Sequence, residues 1–144
     1  MLSKKAKYGL KAMFYLAKNY GKGPKLIADL AEEENIPKKF LELILLDLKR
    51  QGLLISKMGK GGGYELGKHP DKIFVGQVVR ILDGPLAPIS CVSKTAYARC
   101  AECTNEKSCE IRKIMMQVRD STAAILDNTT LSDAPKALFK VERK

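Results

Sequence analysis

Apolar residues along the first third of the chain recur every three or four positions. Ala6, Leu10, Met13 and Ala17 fall on one helical face, Ser3 suits the N-cap, and Gly21 closes the element. Lys4, Lys7, Lys11 and Lys18 lie mostly elsewhere on the wheel. After the breaker GKGP, residues 25–34 predict a short helix with Ile27, Leu30 and Ala31 inward. Asn35, Ile36 and Pro37 form a turn, and Pro37 suits the first position of the next helix. That third helix, KKFLELILLDLKRQ, buries Phe40, Leu41, Ile44, Leu45 and Leu48 and ends at Gly52.

The period then shortens. LLISK and YEL read as two strands about the glycine-rich MGKGGG, which predicts a β-hairpin. A further helix is expected over residues 75–82. A long one starts near Cys109, with an apolar stripe of Ile111, Ile114, Met115, Val118, Ile125 and Leu126. From Thr129 the tail is short, polar and basic, with at most one more helical turn. The expected fold is therefore mainly α with a small β-hairpin wing. It divides into residues 1–83 (winged helix-turn-helix), 84–108 (cysteine-rich segment) and 109–144 (long helix and basic tail).

Two helices joined by a tight turn and followed at once by a glycine-tipped hairpin are the order of a winged helix-turn-helix. Its second helix enters the major groove. The exposed residues there are Lys38, Lys39 and Glu42. Lysine donates to guanine O6 and N7; Glu42 either accepts from the cytosine amino group or points off the interface. At the hairpin tip, Gly61, Gly62 and Gly63 permit positive φ and a close approach to phosphate, with Lys57 and Lys60 supplying charge. GKGGGY lacks the spacing of a P-loop.

Charge supports the same partner. The net charge is +10, and residues 1–82 hold 16 Lys and Arg against 8 Asp and Glu, whereas residues 83–144 hold 10 against 8. A polyanion such as double-stranded DNA should therefore meet the N-terminal part. The first residues are interrupted by lysines, with no secretory apolar run, and FLELILLDL is too short and too charged to span a bilayer. A cytoplasmic protein with no membrane partner is expected. There is no Ser/His/Asp set, no paired carboxylates and no second cofactor motif, so neither an enzyme nor an electron carrier is expected. His69, beside a turn, reads as a solvated loop residue.

All four cysteines lie in one polar stretch, as Cys91-x8-Cys100-x2-Cys103-x5-Cys109. Reduced thiolates are soft ligands for iron–sulfur clusters, zinc or copper(I), and four of them suit a two-iron cluster, a four-iron cluster or a structural zinc ion. Spacing does not separate these, nor does it exclude a metal-free thiol sensor using Cys100 and Cys103.

KYGLKAMFYLA, FLELILLDLKRQGLLISKMGKGGGYEL and VGQVVRILDG, above all the wing motif G-x-G-G-G-Y-x-L, resemble successive signatures of the Rrf2 family of bacterial winged helix-turn-helix transcription regulators. The resemblance runs from about Leu2 to Leu131. It implies a homodimer joined through the long helix, and hence through Ile111, Ile114, Met115, Val118 and Ile125. It also implies a palindromic DNA operator and leaves a contact with RNA polymerase open. Family members often carry arginine before the wing glycines, entering the minor groove; Met58 stands there in this chain.

Cluster-binding members hold iron with three cysteines in this loop, and Cys103 and Cys109 match the last two. The next family position falls at Tyr97, so Cys91 or Cys100 must replace it. A histidine ligand of the family corresponds to Arg112. The resemblance thus favours a regulator whose cysteine segment ligates an iron–sulfur cluster reporting iron, oxygen, redox or nitric oxide status. The alternative is a metal-free or zinc-bound regulator controlled by thiol oxidation or a partner protein.

Overall fold

Ser3 caps the first helix, as its position predicts: its Oγ accepts the Ala6 N–H at 3.0 Å at the head of α1 (Lys4–Lys18). The computed structural model describes residues 2–133. The Ser3 hydroxyl also donates to Asp83 Oδ1, and its N–H donates to Asp83 Oδ2 at 3.0 Å. Asp83 ends α4 (Val75–Asp83), so one cap ties the first helix to the fourth. Such caps contribute about 1 kcal/mol. The two helices approach closely at Gly9, where a Cβ would lie 2.1 Å from Leu82 Cδ1.

α2 (Ile27–Glu33) and α3 (Lys38–Arg50) are joined through Asn35, which adopts a left-handed φ of 53°, and through Ile36, which is buried. Asparagine tolerates that conformation better than most residues. Pro37 is the N-cap of α3 rather than its first helical residue. Lys11, off the apolar face of α1, donates from Nζ to Glu34 O at 2.7 Å and so closes the C-terminus of α2. Leu41, Ile44, Leu45 and Leu48 of α3 are fully buried. Truncating any of them to alanine should cost about 2–5 kcal/mol. Phe40, half-buried, packs edge-on against Tyr8 with ring centroids 5.6 Å apart.

β1 (Leu54–Lys57) and β2 (Gly63–Leu66) pair antiparallel from Leu54 opposite Leu66 to Lys57 opposite Gly63. A third piece of backbone joins this hairpin: Lys25 and Tyr64 exchange two N–H···O=C bonds, both 2.8 Å. Gly63 makes that possible, since a Cβ there would sit 2.2 Å from Lys25 O.

After α4 the chain crosses a loop and enters α5 (Glu110–Leu126), none of whose residues is buried. The expectation of a polar tail beginning at Thr129 needs correction. Thr129 O accepts the Val75 N–H at 2.8 Å, the Leu131 N–H donates to Ile73 O at 3.0 Å, and Leu131 is buried in the core. Thr129 to Leu131 therefore belong to the winged domain's packing. The rest of the basic tail and its expected last turn, from residue 134, lie outside the described residues. Among the described residues no helix is long and apolar enough to cross a membrane.

Candidate nucleic-acid interface and cysteine segment

α3 has two unlike faces. Its buried leucines and isoleucine hold it against α1, α2 and α4, while Lys38, Lys39 and Glu42 stand exposed on the other side. The sequence reading missed Leu43, which is 62% exposed one turn beyond Lys39; an apolar residue outside the inward-facing register was the available signal. An outward helix face of two lysines, a carboxylate and a leucine offers donors, an acceptor and a methyl contact to base edges.

The wing sits beside it in sequence and carries Lys57, Met58 and Lys60, all exposed, Met58 almost completely. Lys57 is only loosely paired, 3.9 Å from Glu65. The three tip glycines do different things. Gly61 is exposed at φ +77° with open space around it. Gly62 is buried inside the turn, where a Cβ would come 2.3 Å from Lys57 O. Gly61 is thus the tip glycine free to approach a phosphate, and Gly62 and Gly63 answer to internal packing.

In the cysteine segment, Cys91 and Val92 are buried in a 3-10 turn (Ser90–Val92) beneath α5. Arg119 Nη1 donates to Val92 O at 2.7 Å, and Arg112 Nε to Cys91 O at 3.4 Å. Cys100 is exposed, and the Cys103 N–H donates to its carbonyl at 3.0 Å, so these two cysteines share one turn. Half-buried Cys109 is the N-cap of α5, its Sγ accepting the Arg112 N–H at 3.4 Å. Glu106 organises the stretch between. Tyr97 donates its hydroxyl to Glu106, while Arg112 and Arg99 lie 3.6 and 3.9 Å from its carboxylate. The hydrogen bond to Glu106 raises the Tyr97 pKa, with desolvation and the carboxylate's charge acting in the same direction.

Four free thiols on a largely polar loop have the donor chemistry for a soft metal centre. The fold does not gather them: among the described residues no three His, Cys, Asp or Glu side chains stand close enough to hold a metal ion.

Along α5, Ile111, Ile114, Val118 and Ile125 are each more than two-fifths exposed, and Met115 is half-buried. Ile114, Val118 and Ile125 share a shallow groove on the helix surface with Gln117, Ser121 and Thr122.

A family model described as "Rrf2: Iron-dependent Transcriptional regulator" matches residues 2–136. The chain is 40% identical over 136 residues to an rrf2-like HTH-type transcriptional regulator of Rhodobacter capsulatus, spanning 92% of this chain and 91% of that one. It is 34% identical over 132 residues to the HTH-type transcriptional regulator CymR of Bacillus subtilis, spanning 92% and 87%. The solved structure of that protein, described as the global cysteine regulator, has a TM-score of 0.79 over 94% of this chain and 96% of its own, at 33% identity. T. potens IscR has a TM-score of 0.75 at 29% identity, covering 94% of this chain and 86% of that chain.

Proposed function

Since the chain belongs to the Rrf2 family and is a DNA-binding transcriptional regulator, we propose that it acts as a homodimer on a palindromic operator and that its cysteine segment holds an iron–sulfur cluster. The observation carrying the dimer is α5: a helix of 17 residues with no buried side chain and with four aliphatic residues in the open. An amphipathic helix is stable in water when that stripe is covered, and a second copy covers it symmetrically. Two α3 helices are then presented to half-sites about 34 Å apart, one DNA turn. Lys38, Lys39 and Glu42 address base edges; Lys57, Lys60 and Gly61 address phosphates.

For the cluster, the supporting observation is the contrast among the thiols. Cys100 and Cys103 share a turn, Cys109 heads α5, and all three are at least partly accessible, whereas Cys91 is packed under α5. Cys100, Cys103 and Cys109 are the residues that would hold a cluster, with Cys91 serving the packing or a fourth position. Bound there, it would supply an oxidation-sensitive cross-link within a segment that has little apolar surface of its own. The residues of the chain do the rest: Arg112 and Arg119 hold the Cys91–Val92 backbone to α5, and Glu106 braces Tyr97 and Arg112.

A second reading, a metal-free regulator switched by thiol oxidation, draws on the separation of the four cysteines and on the likeness to CymR. Iron and sulfide analysis with visible absorption of anaerobically purified protein distinguishes the two. Iron, acid-labile sulfide and a brown chromophore support the cluster; a colourless, metal-free protein that still binds DNA supports the thiol switch.

A further inference from the structure

A cavity of about 250 Å³ is lined by α4, the loop after it and α5, and by no residue of α3, of the hairpin or of the exposed aliphatic stripe of α5. Pro85, Leu86, Ala87 and Ala123 give it apolar walls, and its polar lining combines the cations Arg80, Lys94 and Arg119 with the carboxylates Asp120 and Asp127 and the hydroxyl of Ser93. The charges there are unequally committed. Arg80 spends both outer nitrogens on Asp127, and Arg119 donates to Val92 O and pairs with Asp120 at 2.8 Å. Lys94 has no carboxylate partner among the described residues. Beside it, Ser93 is only 7% exposed; its Oγ accepts the Ala96 N–H at 2.9 Å, but among the described residues its own hydroxyl proton is donated to no acceptor. A buried hydroxyl with an uncommitted proton, next to an unpaired ammonium in an apolar-walled cavity, is the complement of one carboxylate.

We propose that this cavity binds a small monocarboxylate of roughly amino-acid size. Its carboxylate accepts from the Ser93 hydroxyl and pairs with Lys94, and its remaining atoms lie against Leu86, Ala87 and Ala123. The volume lies just below the range of about 300 to 1,000 Å³ typical of pockets for drug-sized ligands and so suits a smaller molecule. One surplus cation matches one negative charge and leaves a phosphate dianion undercompensated. A molecule seated there touches the winged domain through Arg80, the cysteine segment through Ser93 and α5 through Arg119.

The test is calorimetric titration of the full-length protein, in a chloride buffer without carboxylates, with acetate, pyruvate, L-alanine, L-serine and succinate in turn and inorganic phosphate as control. The expected result is saturable binding of at least one monocarboxylate at one site per chain. Lys94→Ala, at an exposed position whose side chain bonds no other group among the described residues, should weaken it about tenfold, the value of one charge-assisted hydrogen bond. Ser93→Ala should weaken it too, and Lys22→Ala, outside the cavity lining, should leave it unchanged. The proposal is overturned if no monocarboxylate binds by about 10 mM, if phosphate binds more tightly than every carboxylate, or if Lys94→Ala binds as the wild type does.

Discussion

Arg80 and Asp127 meet across the junction of α4 and α5 in a two-pronged pair, Nη2 lying 2.9 Å from Oδ2 and Nη1 2.5 Å from Oδ1. Gly76 makes room for it, since a Cβ there would lie 2.0 Å from Asp127 Oδ1. The backbone bonds of Val75 to Thr129 and of Leu131 to Ile73 follow directly behind. The C-terminal end of α5 is thereby fixed to the same helix whose other end Ser3 ties to α1. Side-chain geometry and main-chain pairing together set how α5 leaves the winged domain.

Asp127→Asn and Arg80→Ala should each lower stability by roughly 1 kcal/mol or less, because the pair is about two-fifths exposed and screened by solvent. Gly76→Ala should do at least as much by pushing the carboxylate off its partner. The Arg80 hydrogen bond lowers the Asp127 pKa despite the opposing effect of burial. A depressed folded-state pKa gives stability that is present above the ordinary carboxylate range and lost as pH falls through the folded value. Chemical denaturation at neutral pH and below about pH 4 should therefore show the wild type losing more stability in acid than Asp127→Asn. Equal losses in the two proteins would remove this role from the pair.

Replacing Val118 and Ile125 together by Asp places charges in the apolar stripe of α5. If that stripe is the dimer seam, each buried, unpaired carboxylate costs several kcal/mol, and the protein should elute as a folded monomer with weak operator binding. Light scattering reads the outcome directly. A double variant that stays dimeric at micromolar concentration places the seam elsewhere.

Wing and recognition helix should separate in salt titrations. If Lys60 meets a phosphate as proposed, Lys60→Ala should weaken binding to all sequences alike and reduce the slope of log K against log salt by about 1. Lys39→Ala and Glu42→Ala should instead shift base preference, by about 1–3 kcal/mol at the base each one reads. A Lys60→Ala protein with an unchanged salt slope and an altered preferred sequence would make the wing a reader of bases.

The helices and the hairpin were legible because each repeats a pattern: α3 has a leucine-rich face, and the wing a change of period around glycines. What escaped the sequence reading has no period. Lys25 joins the wing through main-chain bonds, which place no demand on its side chain, and the single signal, Gly63, also looks like an ordinary tip glycine. Leu131 is one aliphatic residue in a polar stretch, and only the backbone bonds of Thr129 and Leu131 carry it into the core. On the proposed DNA face, Lys38, Lys39 and Glu42 stand exposed as their positions predict, and Leu43 differs from the other leucines of the helix only in lying outside the inward-facing register. The four cysteines were conspicuous, but their differing burial was invisible: Cys91 lies beneath α5 because Arg112 and Arg119, far along the chain, bind its backbone and its neighbour's.

That difference in burial supplies the last prediction. If the segment holds the proposed cluster, Cys103→Ala and Cys100→Ala should remove the iron and the visible absorption of anaerobically purified protein while leaving the fold intact, since both lie on a loop that contributes little to the core. Cys109 needs two substitutions, because its sulfur also caps α5. Cys109→Ser keeps an acceptor for the Arg112 N–H but offers a hard oxygen, so it should lose iron with helix content unchanged; Cys109→Ala should lose iron and part of the first turn. Cys91→Ala should behave otherwise. It removes a buried atom, so it should cost about 1 kcal/mol of stability and keep most of the iron. Because the segment runs from α4 to α5, loss of iron should also change operator affinity by about 1–3 kcal/mol, the usual range for coupling between two sites. Iron retained in full by all four alanine variants, or identical operator affinity with and without iron, would leave the thiol-switch reading in possession of the segment.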